Sequence, residues 1–164
     1  MIFAGENRMR RRDREITDPE KMLAIVKACD CCRLGFVDDA GAYIVPMNFG
    51  YEVQNGTLTF YFHSAQEGKK QELMRTQKAA SFEMDTGHVP IERNTACGCT
   101  FLYQSVMGHG VLRTMELYEE KCHALGMILE RYVPGRVWTF PEDAVRNVSI
   151  FRLDVTDWSC KAHE

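Results

Sequence analysis

The chain has 164 residues, 45% hydrophobic and 26% charged, enough for one domain with a substantial core but short of a second full domain. Its net charge of -3 argues against a dedicated nucleic-acid binder, whose phosphate contacts call for a basic surface. No apolar run approaches the roughly 20 residues that span a bilayer, so no helical membrane span is expected.

The opening MIFAGENRMRRRDRE places its charges after a very short apolar stretch, the reverse of a signal peptide, so a cytoplasmic protein is expected. Residues 1–16, with Arg8, Arg10, Arg11, Arg12 and Arg14 and little apolar material, read as a basic, solvated arm. Residues 17–164 read as one domain. Thr17 or Asp18 is placed to cap a helix with Pro19 in its first turn, and Met22, Leu23, Ile25 and Val26 give it an apolar stripe up to about Ala28.

From Cys32 the hydrophobic period becomes that of strands: CRLGFVDD, a turn at 39–41, AYIVPMNFGYEV, a turn at 54–56, and TLTFYFHS. Pro46 interrupts the second of these strands. It cannot donate a ladder hydrogen bond, so an edge, a bulge or a bend is expected there, with backbone free to face a ligand. A short helix of about Glu67 to Thr76 follows, then the strand AASFEMD and a loop rich in turn residues.

The long β stretch CTFLYQSVMGHGVLRTM comes next, with Gly108 and Gly110 suggesting a bulge or strong bend. Glu116 to Tyr132 reads as an amphipathic helix stopped by Pro134-Gly135, and SIFRLDVTDWSC as a final alternating strand. Six antiparallel strands with flanking helices predict an α+β protein built on a small β-barrel.

The seven cysteines are an odd count whose grouping (Cys29, Cys31, Cys32; Cys97, Cys99) suits reduced thiols. A zinc or iron–sulfur site with His88 is the alternative. Neither group has the two-residue gap of a ligand knuckle and Cys32 falls on an apolar strand face, so no metal is expected.

The chemistry concentrates in YFHSAQEGKK. A helix starting near Glu67 would offer free backbone N–H groups and the positive end of its dipole, and Ser64, Lys69 and Lys70 add a hydroxyl and two cations: a phosphate cradle. The plainer reading leaves Ser64 as a cap and the lysines as solvated charge. No catalytic triad is present, because His63 and Ser64 are adjacent in a strand and point to opposite faces.

YFHSAQEGKK following YIVPMNFGY resembles the FMN-binding split-barrel proteins related to pyridoxamine 5'-phosphate oxidase, and within them the nitroimidazole-resistance (Nim-like) group. MRRRDREI, YQSVMGHGVLR and DVTDWSCK agree in order, so the resemblance spans nearly the whole chain. It implies a six-stranded antiparallel split barrel with FMN at the interface of a homodimer. In that arrangement Val45, Pro46, Met47 and Asn48 run beside the isoalloxazine ring.

His63, Ser64 and the Gly-x-Lys ending at Lys70 match the family's ribityl and phosphate contacts, with Lys69 a neighbour able to share the task. Tyr103, Gln104 and Ser105 fall on the strand that lines the same cleft from the other subunit, and Trp158 and Lys161 match a terminal Trp-Ser-Gly-Lys pattern. Two departures stand out: Cys160 replaces the glycine of that pattern, and Gly108-His109 replaces two larger apolar residues.

The activity implied is electron transfer from a reduced pyridine nucleotide or another small donor to a small electrophile, nitroaromatics among them, with His63 a local proton donor. The alternative is a binding, storage or sensing protein for flavin or haem on the same barrel.

Overall fold

The structure, a computed structural model, describes residues 9–164. Arg8, and with it the first half of the expected basic arm, lies outside the described residues. The arm does not stay solvated to its end. Glu15–Ile16 forms a short strand, β1, paired with Lys161 and Cys160 near the end of the chain, where an edge with free backbone groups is available.

Helix α1 (Pro19–Ala28) begins at Asp18, whose carboxylate accepts from the amides of Glu20 and Lys21 at 2.9 and 3.2 Å. Ile25 and Val26 are its buried stripe. Strands β2 (Cys32–Asp38) and β3 (Gly41–Met47) form one hairpin. Strands β4 (Gly50–Gln54) and β5 (Thr57–Ser64) form the next, turned by Asn55 and Gly56 at φ 51° and 80°, both left-handed as a tight hairpin requires.

Helix α2 (Lys69–Thr76), the long strands β6 (Ala79–Ile91) and β7 (Thr100–Met115), helices α3 (Tyr118–Tyr132) and α4 (Glu142–Arg146), and strand β8 (Ser149–His163) complete the chain. None of the helices among the described residues is long and apolar enough to cross a membrane.

The strands make one antiparallel sheet in the order β3-β2-β6-β7-β8-β5-β4, with β1 paired to the far end of β8. It has eight strands, not the expected six. The single strand read over residues 42–53 is two: it leaves the β2 ladder at Met47 and joins the β5 ladder at Gly50. The two outermost strands of the path are therefore consecutive in the chain, joined through Asn48-Phe49 and not by a ladder. The sheet is not closed by hydrogen bonds, so only the antiparallel α+β part of the barrel expectation is met.

Pro46 lies on edge strand β3, where its missing N–H costs no ladder bond. The expected irregularity in β7 is a register shift between His109 and Gly110. At Gly108 a Cβ would lie 2.4 Å from the Asp157 carbonyl oxygen and 2.8 Å from the Phe82 ring, which explains why larger residues do not fit there.

Two apolar clusters follow from this topology. The larger lies between α1 and the strands, with Phe49, Phe60, Phe62, Phe82 and Phe151 at its centre. The smaller lies under α3, from Ala124, Ile128, Tyr61, Met115 and Ile150. Helix α3 approaches β4 so closely that a Cβ on Gly50 would stand 2.6 Å from the backbone of Met127 and Ile128. Backbone cannot yield as a side chain can, so Gly50→Ala should destabilise the fold by about 1–3 kcal/mol through overpacking. Chemical denaturation of the two proteins measures this directly, and an unchanged midpoint would contradict the close approach.

Candidate functional site

The corner where β5 hands over to α2 is built by three neighbours in the fold: the end of β3, the end of β5 and the first turn of α2. Gly68 precedes the helix at φ 111°, a conformation that side chains rarely adopt, and it supplies no side-chain cap. The amides of Gln71 and Glu72 both return to the Gly68 carbonyl, at 2.9 and 3.2 Å. The amides of Lys69 and Lys70 ahead of them have no intrahelical acceptor.

The two lysines diverge. Lys69 Nζ is ion-paired with Asp38 and lies 4.9 Å from the centroid of the Tyr43 ring, so it is engaged with the β2–β3 hairpin. Its hydrogen bond to Asp38 raises its pKa. Lys70 turns inward, and its ammonium donates to the Met47 thioether sulfur at 3.0 Å. Burial lowers its pKa, and among the described residues it has no carboxylate within ion-pairing distance. A thioether is a weak acceptor, so this half-buried cation lacks the partner that buried charges ordinarily have.

His63, at the end of β5, belongs to the same corner. Burial, and then the Lys70 charge, pushes its pKa below the ordinary histidine value, so at neutral pH the ring is uncharged. Ser64 does not cap α2. Its hydroxyl donates to the Ala65 carbonyl at 2.9 Å and accepts from Gln71 Nε2 at 2.6 Å. Gln71 also donates to the Ala65 carbonyl at 3.1 Å, and it is the one polar or charged residue among the described residues that is buried.

Gln71 therefore holds the connection between β5 and α2 in shape. The sequence reading missed it. Its signal was a polar residue three positions before Met74, on the face that α2 turns to the core.

Met47 is buried, Val45 half-buried, and Pro46 and Asn48 exposed. Of the residues singled out in the sequence, Met47, His63, Ser64 and Lys70 come together here, with Asn48 next in the chain. A second group gathers elsewhere. Ser105 is paired with Lys161, and Tyr103 with His163, whose rings meet edge to face at 6.3 Å. Arg14 Nη1 donates to the Tyr103 hydroxyl at 3.5 Å.

Gln104 alternates to the other face, where its amide donates to Glu164 at 3.3 Å. Trp158 pairs with Gly108 and packs on the edge of the main core. Lys161 sits toward the opposite end of β8 from Ile150, the partner of His63. The chain does not bring these two groups together within itself.

The cysteines do not form a centre. Burial pushes the Cys29 thiol up to about 11 and Cys160 up to about 12, and raises Cys32 well above the usual range, so all three are inert thiols at neutral pH. Cys97 and Cys99 are exposed in the β6–β7 loop, and His88 is paired with Asp85. Among the described residues no group of three or more potential ligands is placed to hold a metal ion.

Comparison with solved structures finds the same fold at full length. A candidate 5-nitroimidazole antibiotic resistance protein of Bacteroides thetaiotaomicron superposes with a TM-score of 0.78 at 31% identity, over 92% of this chain and 90% of that one. The flavocytochrome Anf3 of Azotobacter vinelandii gives a TM-score of 0.79 at 18% identity, over 96% and 72%. The FAD and heme binding protein of Mycobacterium smegmatis gives 0.79 at 16% identity, over 92% and 74%. At those lower identities the likeness shows the fold alone. No match was found among curated proteins. Residues 18–162 match the family described as pyridoxamine 5'-phosphate oxidase, and with the Bacteroides structure at 31% identity over most of both chains, this chain belongs to that family.

Proposed function

We propose that the protein is a flavin-dependent oxidoreductase whose cofactor is FMN, with the phosphate held at the corner of Lys70, His63 and the first turn of α2. The observation that carries this reading is the Lys70 ammonium, half-buried against a thioether and without an anionic partner. A phosphate dianion supplies the missing charge, and the free amides of Lys69 and Lys70 at the positive end of α2 favour the same ligand. The residues present therefore fit a phosphate-bearing group.

Bound there, FMN supplies the electron-transfer chemistry. The chain's own residues bind and orient. Lys70 leaves Met47 for the phosphate, Gln71 and Ser64 keep the approach in shape, and the outer side of edge strand β3 at Val45 to Met47, with Asn48 after it, offers the ring the backbone groups that the β2 ladder leaves free. His63, neutral at pH 7, can accept or donate one proton beside the phosphate. Asp38 keeps Lys69 on the far side of α2, so Lys70 is the principal cation of the site.

The second group, Tyr103, Ser105, Trp158 and Lys161, is explained by a homodimer in which it closes the partner's cofactor cleft. The similarity to the Bacteroides protein suggests a nitroaromatic, such as a 5-nitroimidazole, as an electron acceptor. A cytoplasmic location accords with a supply of reduced pyridine nucleotide. If stopped-flow mixing of the loaded protein with NADH or NADPH leaves the flavin absorbance unbleached, the pyridine-nucleotide route is wrong and a flavin carrier remains.

Lys70→Ala should weaken FMN binding roughly ten- to a hundred-fold, as expected for the loss of a charge-assisted contact, with little change in melting temperature. Lys69→Ala should do much less. Equal flavin content in wild type and Lys70→Ala would remove the phosphate assignment.

The pH dependence has a definite sign. The His63 pKa is depressed in the free protein, and an adjacent dianion favours the imidazolium, so binding raises that pKa and takes up a proton. Calorimetry of FMN binding near pH 6.5, in buffers of different ionisation enthalpy, should show the wild type taking up more protons than His63→Gln, whose balance carries only the phosphate's own release. Identical proton balances in the two proteins would show that His63 does not face the phosphate.

A further inference from the structure

A cavity of about 710 Å³ opens at a place the phosphate corner does not use: between the C-terminal ends of α1 and α3, beside β4. Its volume falls within the roughly 300–1,000 Å³ typical of small-molecule sites. Tyr51, Met127, Tyr132 and Pro134 give it flat, apolar walls. Arg131, the next-to-last residue of α3, is its central polar group.

The Arg131 guanidinium lies 4.1 Å from the centroid of the Phe49 ring, with Tyr51 and Tyr132 at 5.8 and 5.7 Å. Its Nη2 donates to the carbonyls of Val26 and Lys27 in the last turn of α1, both at 3.3 Å. Its Nε–H is shut off from solvent and has no acceptor. A buried donor of a charged group left in this state is destabilising until an acceptor reaches it. An acceptor brought in through the cavity, with a small adjustment of the side chain, would complete it.

The charges around the cavity select the ligand. Lys27 and Arg131 are balanced by Asp30 and Glu130, all four in its lining. The negative ends of two helix dipoles then tip the balance against an anion. A planar ring suits the tyrosine walls and the guanidinium, which stacks well on aromatic faces. Cys29 also lines the cavity, but its raised pKa leaves it unreactive, so the binding is non-covalent.

We propose that this cavity is a second binding site, for a small uncharged heteroaromatic molecule carrying a carbonyl acceptor for Arg131. It is distinct from the Lys70 corner and does not depend on the flavin reading.

Nicotinamide and nicotinate make a matched pair of probes, identical except that one carries an uncharged carboxamide and the other a carboxylate. Titration of the full-length protein, followed by saturation-transfer NMR in the presence of excess FMN, should show saturable nicotinamide binding. Nicotinate should bind roughly ten-fold or more weakly, and Arg131→Lys should weaken nicotinamide by a similar factor. Met127→Trp, which fills the cavity and leaves the Arg131 contacts to α1 in place, should abolish binding, and Lys70→Ala should leave it unchanged. The proposal is overturned if nicotinamide does not saturate, if nicotinate binds equally well, if folded Met127→Trp binds as wild type does, or if Lys70→Ala abolishes the signal.

Discussion

The architecture turns on a two-residue crossover. At Asn48-Phe49 the chain leaves one edge of the sheet and begins the other, so strands far apart in the ladder are covalent neighbours. Pro46, just before it, keeps the last part of β3 from recruiting a further strand. Phe49, its second residue, is fully buried and anchors the crossover in the core. Met47 is thereby held against α2, where it meets Lys70, and Tyr51 and Phe49 are held against α3, where they meet Arg131. Both candidate sites flank the same short connection.

The two cations illustrate how one fold treats buried charge in two ways. Arg131 spends two hydrogen bonds on the end of α1 and stacks on Phe49, a helix-capping arrangement that is structural in its own right. Tyr132 reinforces it: its hydroxyl donates to the Asp30 carbonyl at 2.9 Å and accepts from the Phe49 amide at 3.2 Å. Lys70 has no comparable set of partners, only a sulfur. Arg131 thus ties two helices together through Nη2 and leaves only its Nε–H open, whereas Lys70 at the start of α2 leaves its whole charge open to a ligand.

Much of this was legible in the sequence because it is local. The Asp18 cap, the hairpin turn at Asn55-Gly56, the edge position of Pro46 and the irregularity near Gly110 each follow from the chemistry of a few adjacent residues. The split of the second strand was not, because the apolar alternation runs on through Asn48-Phe49, and only tertiary pairing shows the change of ladder. β6 likewise continues past Asp85, through a register shift at Gly87, to Ile91, where turn residues suggested a loop. The short β1 and α4 are too brief to carry a period.

Within the site, the sequence marked the right segment but could not distinguish its two lysines. Adjacent helical residues diverge, and which one meets Asp38 and which meets Met47 depends on the β2–β3 hairpin, distant in sequence. The Arg131 cluster was illegible for the same reason: its partners come from α1, β4 and the crossover. What remains central is that Lys70 and the first turn of α2 clamp a phosphate dianion. Phosphorus-31 NMR of FMN bound to the protein tests this most directly. A clamped phosphate should keep a constant dianion shift between pH 8 and about 5, well below the point near pH 6 at which a free phosphate monoester titrates. A bound-state resonance that titrates like free FMN would contradict the account.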